Sequence, residues 1–173
     1  MPILRDTETV TSAGERIDPL PEGMVVRDLV THVDARGTIC ELYDLRWGAN
    51  PDPVPFAYLF TIRTGAAKGW GIHREHEDRY AFLTGELELA FYDAREDSAT
   101  TGQEFRLFLS AYDRKLLVIP RGVWHAERNV GQADVQVVNF PTIPYDHANP
   151  DKYRLPLDTD ELPVRLGPGW SGW

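Results

Sequence analysis

"KLLVIPRGVWHAERN", residues 115–129, decides the fold. A short apolar run meets Pro120 and Gly122, and His125 and Asn129 follow at fixed spacing. Such a run, bounded by Pro and Gly, reads as a buried strand ending in a tight turn, after which His125 points into the mouth of whatever the strands enclose. The same texture repeats outward. Residues 55–63, 79–85, 86–94, 104–110 and 133–140 read as further strands, and the breaks between them ("TGAAKG", "EDSATTG", "SAYDR", "NVGQAD") are rich in Gly, Asn, Asp and Ser. In "ELELAFYD" Leu87, Leu89 and Phe91 fall on one face and Glu86 and Glu88 on the other, the alternation of a half-buried strand. Many short strands at this spacing predict an all-β antiparallel sandwich or barrel.

Composition bounds what such a fold can do. The chain of 173 residues is the length of one domain, with an expected core over about 25–145 and an irregular, Pro- and Asp-rich extension over 146–173. A formal charge of −9 argues against a nucleic-acid surface, which needs clustered Lys and Arg. It leaves room for a small anion in a locally basic pocket. The single cysteine, Cys40, fits a reducing compartment and a small apolar role on a strand. No apolar run approaches membrane-spanning length, so a soluble, cytoplasmic protein without membrane partners is expected.

"IPRGVWHAERN" matches the pattern P-x-G-x2-H-x3-N throughout, the second motif of the cupins. The first cupin motif is partly present: His73, Asp78 and Gly85 keep its spacing, and Gly71 stands where its first His belongs. "DARGTICE" (34–41), "GIHRE" (71–75) and "DAREDSATTG" (93–102), in this order, resemble segments of the dTDP-4-dehydrorhamnose 3,5-epimerase family over roughly residues 25–165. The resemblance implies a single-domain cupin jelly roll with irregular arms. It also implies a homodimer exchanging strands, a nucleotide-linked 4-keto-6-deoxy sugar as substrate, and no cofactor or metal.

The chemistry so implied is proton abstraction beside a ketone, with a donor stabilising the enolate and an acid on the opposite sugar face. By resemblance His73 is the base, an acidic residue of the tail (Asp158 or Asp160, with Thr159 at the family's Asp position) orients it, and Tyr145 is the nearest tyrosine to serve as acid or stack on the sugar. Arg36 matches a phosphate-contacting Arg, and Glu41 a nucleotide-contacting carboxylate. Lys68, Trp70, His125 and Asn139 complete the expected substrate contacts. Two departures stand out: Asp78 occupies the place of the family's enolate-stabilising Lys, and Val138 and Asn139 occupy that of its acid Tyr. On a regular strand Lys68 faces away from His73, unless Gly69 and Gly71 bend the chain. His76, with Arg74, Glu75, Glu77, Asp78 and Arg79, reads as an exposed, solvated loop. Two other readings compete. One is a metal-dependent cupin enzyme using His73, Asp78 and His125, with His76 as a further candidate. The other is a non-catalytic nucleotide-sugar-binding cupin.

Overall fold

Twelve β-strands and no α-helix make up the computed structural model, which describes residues 5–166. The strands are β1 (Val25–Asp28), β2 (Thr31–Asp34), β3 (Gly37–Cys40), β4 (Tyr58–Ile62), β5 (Ala67–Ile72), β6 (Asp78–Thr84), β7 (Glu86–Asp93), β8 (Glu104–Ser110), β9 (Lys115–Ile119), β10 (Val123–Asn129), β11 (Val135–Asn139) and β12 (Tyr153–Arg154). They form two five-stranded antiparallel sheets, ordered β1-β9-β6-β11-β4 and β12-β5-β10-β7-β8, while β2 and β3 pair only with each other. This is the antiparallel jelly roll expected of a cupin. All six segments read as strands are strands, each within three residues of its predicted start.

The core lies between the sheets because alternate side chains of both point inward. Leu87, Leu89 and Phe91 of β7 meet Phe82 of β6, Leu117 of β9 and Val137 of β11 there. The outer faces are covered too, which alternation alone did not predict. The segment 162–166 lays Leu162, Val164 and Leu166 over Trp70, Ala90 and Ala126 on the second sheet. Under this cover Glu88 is buried and ion-paired with Arg106 and Arg128, so β7 is buried on both faces rather than half-buried.

Two local features position the site. Gly122 adopts φ +79°, a left-handed conformation that favours glycine, and its N–H bonds the His73 carbonyl at 2.7 Å. The turn between β9 and β10 is thereby tied to the His73 loop. A bulge then interrupts β5 against β10: His125 pairs with Gly71, but Glu127 pairs with Lys68. The extra residue on β5 turns Lys68 to the inner face, as a bend at the glycines would.

The run from Arg74 to Arg79 is solvated only in part: Arg74 and Glu75 are exposed. Arg79 is fully buried, and its guanidinium bonds the carbonyls of Asp52, Pro53, Phe140 and Pro141 and the hydroxyl of Tyr43. His76 and Asp78 are buried as well. Trp170 and Trp173, which the sequence leaves without a role, lie outside the described residues.

Candidate active site

Asp78 is the centre of the site. It opens β6, 2% exposed, and three histidine Nε2 atoms approach its carboxylate: His73 at 3.1 Å, His125 at 3.5 Å and His76 at 3.7 Å. Its remaining contacts are Asn139 Nδ2 at 2.6 Å on Oδ1 and the Tyr80 hydroxyl at 3.2 Å on Oδ2. Tyr80 also reaches Glu127 at 3.0 Å. Burial alone would raise the carboxyl's pKa, but the charge on His73 and the contacts of all three imidazoles hold it well below the ordinary carboxylate range. Burial likewise opposes charge on His76 and His125, and the neighbouring carboxylates outweigh it, so both lie above the ordinary histidine value.

Each imidazole is oriented from behind. His73 Nδ1 meets the Asp151 carbonyl at 2.5 Å, His76 Nδ1 the Asp151 carboxylate at 2.7 Å, and His125 Nδ1 the Val123 carbonyl at 3.2 Å. Carbonyl and carboxylate oxygens only accept, so each Nδ1 carries the hydrogen. Each neutral ring then has its lone pair at Nε2. Asp151 does more: its carboxylate accepts the backbone N–H groups of Arg74, Glu75 and His76. One tail residue locks the whole loop.

The histidines face a cavity of about 500 Å³, within the usual range for a small-molecule site. His73, His76 and Asp151 line it together with Phe56, Tyr58 and Tyr145. A smaller recess of about 80 Å³ adjoins it, lined by Lys68, Tyr80, His125 and Glu127. The two share Tyr58, Lys152 and Arg154 in their walls. Tyr58 comes from β4 of the first sheet, while the loop bearing His73 and His76 follows β5 of the second. Its hydroxyl oxygen accepts from Asn139 Nδ2 at 3.0 Å, and burial with the charge of Asp78 raises its pKa, keeping the phenol protonated.

The structure therefore brings together His73, His125, Lys68 and Tyr145 of the residues picked from sequence. Others lie elsewhere. Trp70 is fully buried on the opposite face of the second sheet, among Leu162, Val164 and Leu166, because the bulge separates its side from that of Lys68. Asn139 is fully buried as a support for Asp78 and Tyr58 rather than as a sugar contact. Asp158 is exposed, and the carboxylates at the histidines are Asp78 and Asp151. Arg36 sits on the β2–β3 hairpin, exposed and paired with Asp34, and Glu41 lines a separate depression with Arg27 and Trp47. Sequence reasoning missed Tyr58, Tyr80, Asp151 and Lys152. Only Tyr58 left a signal, at the start of an inward-alternating strand.

Comparison with known proteins adds an independent line. No family model matches the chain. The chain is 30% identical over 134 residues to a probable low-salt glycan biosynthesis epimerase of Haloferax volcanii, covering 77% of this chain and 86% of that protein. The fold superposes on a dTDP sugar isomerase from Desulfovibrio desulfuricans with a TM-score of 0.77 at 23% identity, over 84% of this chain and 93% of the other. It also superposes on a dTDP-6-deoxy-D-glucose-3,5-epimerase from Legionella pneumophila, solved with dTDP-4-keto-L-rhamnose. Here the TM-score is 0.75 at 18% identity, over 91% and 86% of the two chains.

Proposed function

The chain belongs to the dTDP-4-dehydrorhamnose 3,5-epimerase family of sugar epimerases, and from that premise we propose that it isomerises a nucleotide-linked 4-keto-6-deoxy sugar at a carbon beside the C4 ketone. The observation that carries this reading is the cavity, lined both by carboxylate-backed imidazoles of the second sheet's loop and by the Tyr58 phenol of the first sheet. Removing the hydrogen from C3 as a proton sends its bonding pair into a C3–C4 double bond and the carbonyl pair onto oxygen. Returning a proton to the other face restores the ketone with inverted configuration. The reaction is redox-neutral.

Resemblance assigns the base to His73. In this structure both nitrogens of His73 face oxygen atoms, and its Nε2 is buried. Its neighbour His76 has the Asp151 carboxylate at Nδ1, the arrangement that fixes the tautomer and holds a proton gained at Nε2. His76 with Asp151 is the base of this reading, and His73 stands beside it. Tyr58 lines the same cavity with its oxygen already accepting from Asn139, which leaves its own hydrogen for the cavity. Lys68, Lys152 and Arg154 bring positive charge to the walls against a net charge of −9, and suit an enolate oxygen and a diphosphate. Tyr145 lines the cavity, where a sugar ring would pass.

The β2–β3 hairpin supports a homodimer. It pairs with no other strand and exposes Val33 (75%) and Ile39 (67%). A second copy covering it would carry Arg36 toward a partner's substrate.

The test is proton NMR of dTDP-4-keto-6-deoxyglucose incubated with the protein in deuterated buffer. Deuterium should enter at C3, and His76→Ala should slow the exchange by about 10²–10⁴-fold, the usual worth of a positioned base. Absence of exchange on every 4-keto sugar nucleotide tried would overturn the reading.

A further inference from the structure

We propose that His73, Asp78 and His125 bind one divalent first-row transition ion, of the class of Zn²⁺. The first ground is an orphan. His73 Nε2 is buried and has no hydrogen-bond partner: with the ring hydrogen on Nδ1, its lone pair meets the Asp78 Oδ2 acceptor 3.1 Å away. A buried nitrogen left in this way is costly unless something fills the gap. The second ground is convergence. Nε2 of His73, Nε2 of His125 and a carboxylate oxygen of Asp78 all lie within 4.8 Å of one another, on buried side chains.

Distances discriminate further. Bonds of about 2.0–2.1 Å from a tetrahedral ion put neighbouring ligand atoms about 3.3 Å apart. The two nitrogen–oxygen separations here are 3.1 and 3.5 Å, on either side of that edge. The outer partners fit as well. Ion-ligating histidines characteristically donate the other ring N–H to a carbonyl or carboxylate. His73 does so to Asp151 and His125 to Val123, while Asn139 and Tyr80 hold Asp78. Three histidines are ion-pair partners of Asp78. Two imidazoles and one carboxylate leave further positions open, and His73 and His125 line the larger and smaller cavities respectively. His76 stays outside the set, paired with Asp151.

Bound there, the ion would polarise the C4 carbonyl and stabilise the enolate, supplying the positive charge that resemblance expects from a Lys at position 78. That role rests on the epimerase reading. The site itself does not.

The decisive experiment is Co²⁺ titration of the chelator-treated protein, read by visible absorption. One equivalent should bind tightly. Asp78→Asn and His125→Ala should weaken it by at least about 100-fold, and His76→Ala by no more than a few-fold, with far-UV circular dichroism reporting the fold of each. Asp78→Asn keeps the side-chain shape, and elemental analysis of the unaltered protein, expected to show one ion per chain, needs no variant. No saturable uptake by the unaltered protein below millimolar Co²⁺, or uptake unchanged in Asp78→Asn, overturns the site. Deuterium exchange separates the two proposals. It should fall at least about 100-fold on chelation and return with Zn²⁺. Exchange that persists in the chelated protein overturns the ion's role in the reaction. No exchange by either form overturns the epimerase reading, while the titration still decides the site.

Discussion

Asn139 shows how much one amide can fix. Its Nδ2 donates to Asp78 and to the Tyr58 oxygen, and its Oδ1 accepts the Arg79 N–H. Asn139→Ala strips a buried carboxylate of its shortest contact, and unfolding in urea should show a loss of about 1–3 kcal/mol. Asn139→Asp should be worse, because it sets a second carboxylate against Asp78. At Gly85 the argument is steric. Its φ is +87°, and an added Cβ would lie 2.9 Å from the Val135 backbone, so Gly85→Ala should cost about 2 kcal/mol or more by the same assay. These residues also mark what the sequence made legible. His73 and His125 could be placed in one mouth because a complete motif carries its own turn. Asp78 joined them only in the metal-cupin reading, because a carboxylate beside Arg74, Glu75, Glu77 and Arg79 otherwise looks solvated. The partners that bury it, His125 and Asn139, lie 47 and 61 residues further on (125 − 78 and 139 − 78).

Among the elements, β5 is the one whose irregularity matters most. Period-two reasoning from His73 sends both Lys68 and Trp70 outward, and one bulged residue returns Lys68 to the inner face while Trp70 stays outside. Nothing in a strand pattern announces such a shift except the paired glycines. Lys68→Met keeps the stem over Phe60 but removes the charge, and should weaken dTDP-sugar binding by about 1.5–3 kcal/mol, measured by calorimetry. The turn after β7 permits a pH prediction. Asp93 is buried by accessible surface and accepts from Arg95, Ser98 and Thr100, whose bonds hold its pKa far below the usual value despite burial. A depressed carboxyl stabilises above its unfolded pKa of about 4 and loses that contribution as pH falls toward the folded value. Asp93→Asn should therefore lower Tm at pH 7, and the gap from the unaltered protein should narrow steadily as thermal scans move from pH 5 to pH 2.5.

For the whole molecule, the two sheets and their core were readable because alternation and turns are local signals, whereas the covering of the outer faces was not. It depends on which distant segment returns. The hairpin that no strand covers should bring two chains together, and sedimentation at micromolar concentration should give a dimer that Val33→Asp shifts toward monomer. The segment 151–166 returns within the same chain, to lock the histidine loop through Asp151 and to seal Trp70 under Leu162, Val164 and Leu166. Translation gives this an order in time. A ribosome delivers every strand of both sheets except β12 before it delivers Asp151, so a nascent body can begin to collapse while its histidines are still unset. The histidine loop can be locked only after residue 151 has been made. A chain cut short before that residue should therefore keep most of its strands yet lack the partner that sets His73 and His76.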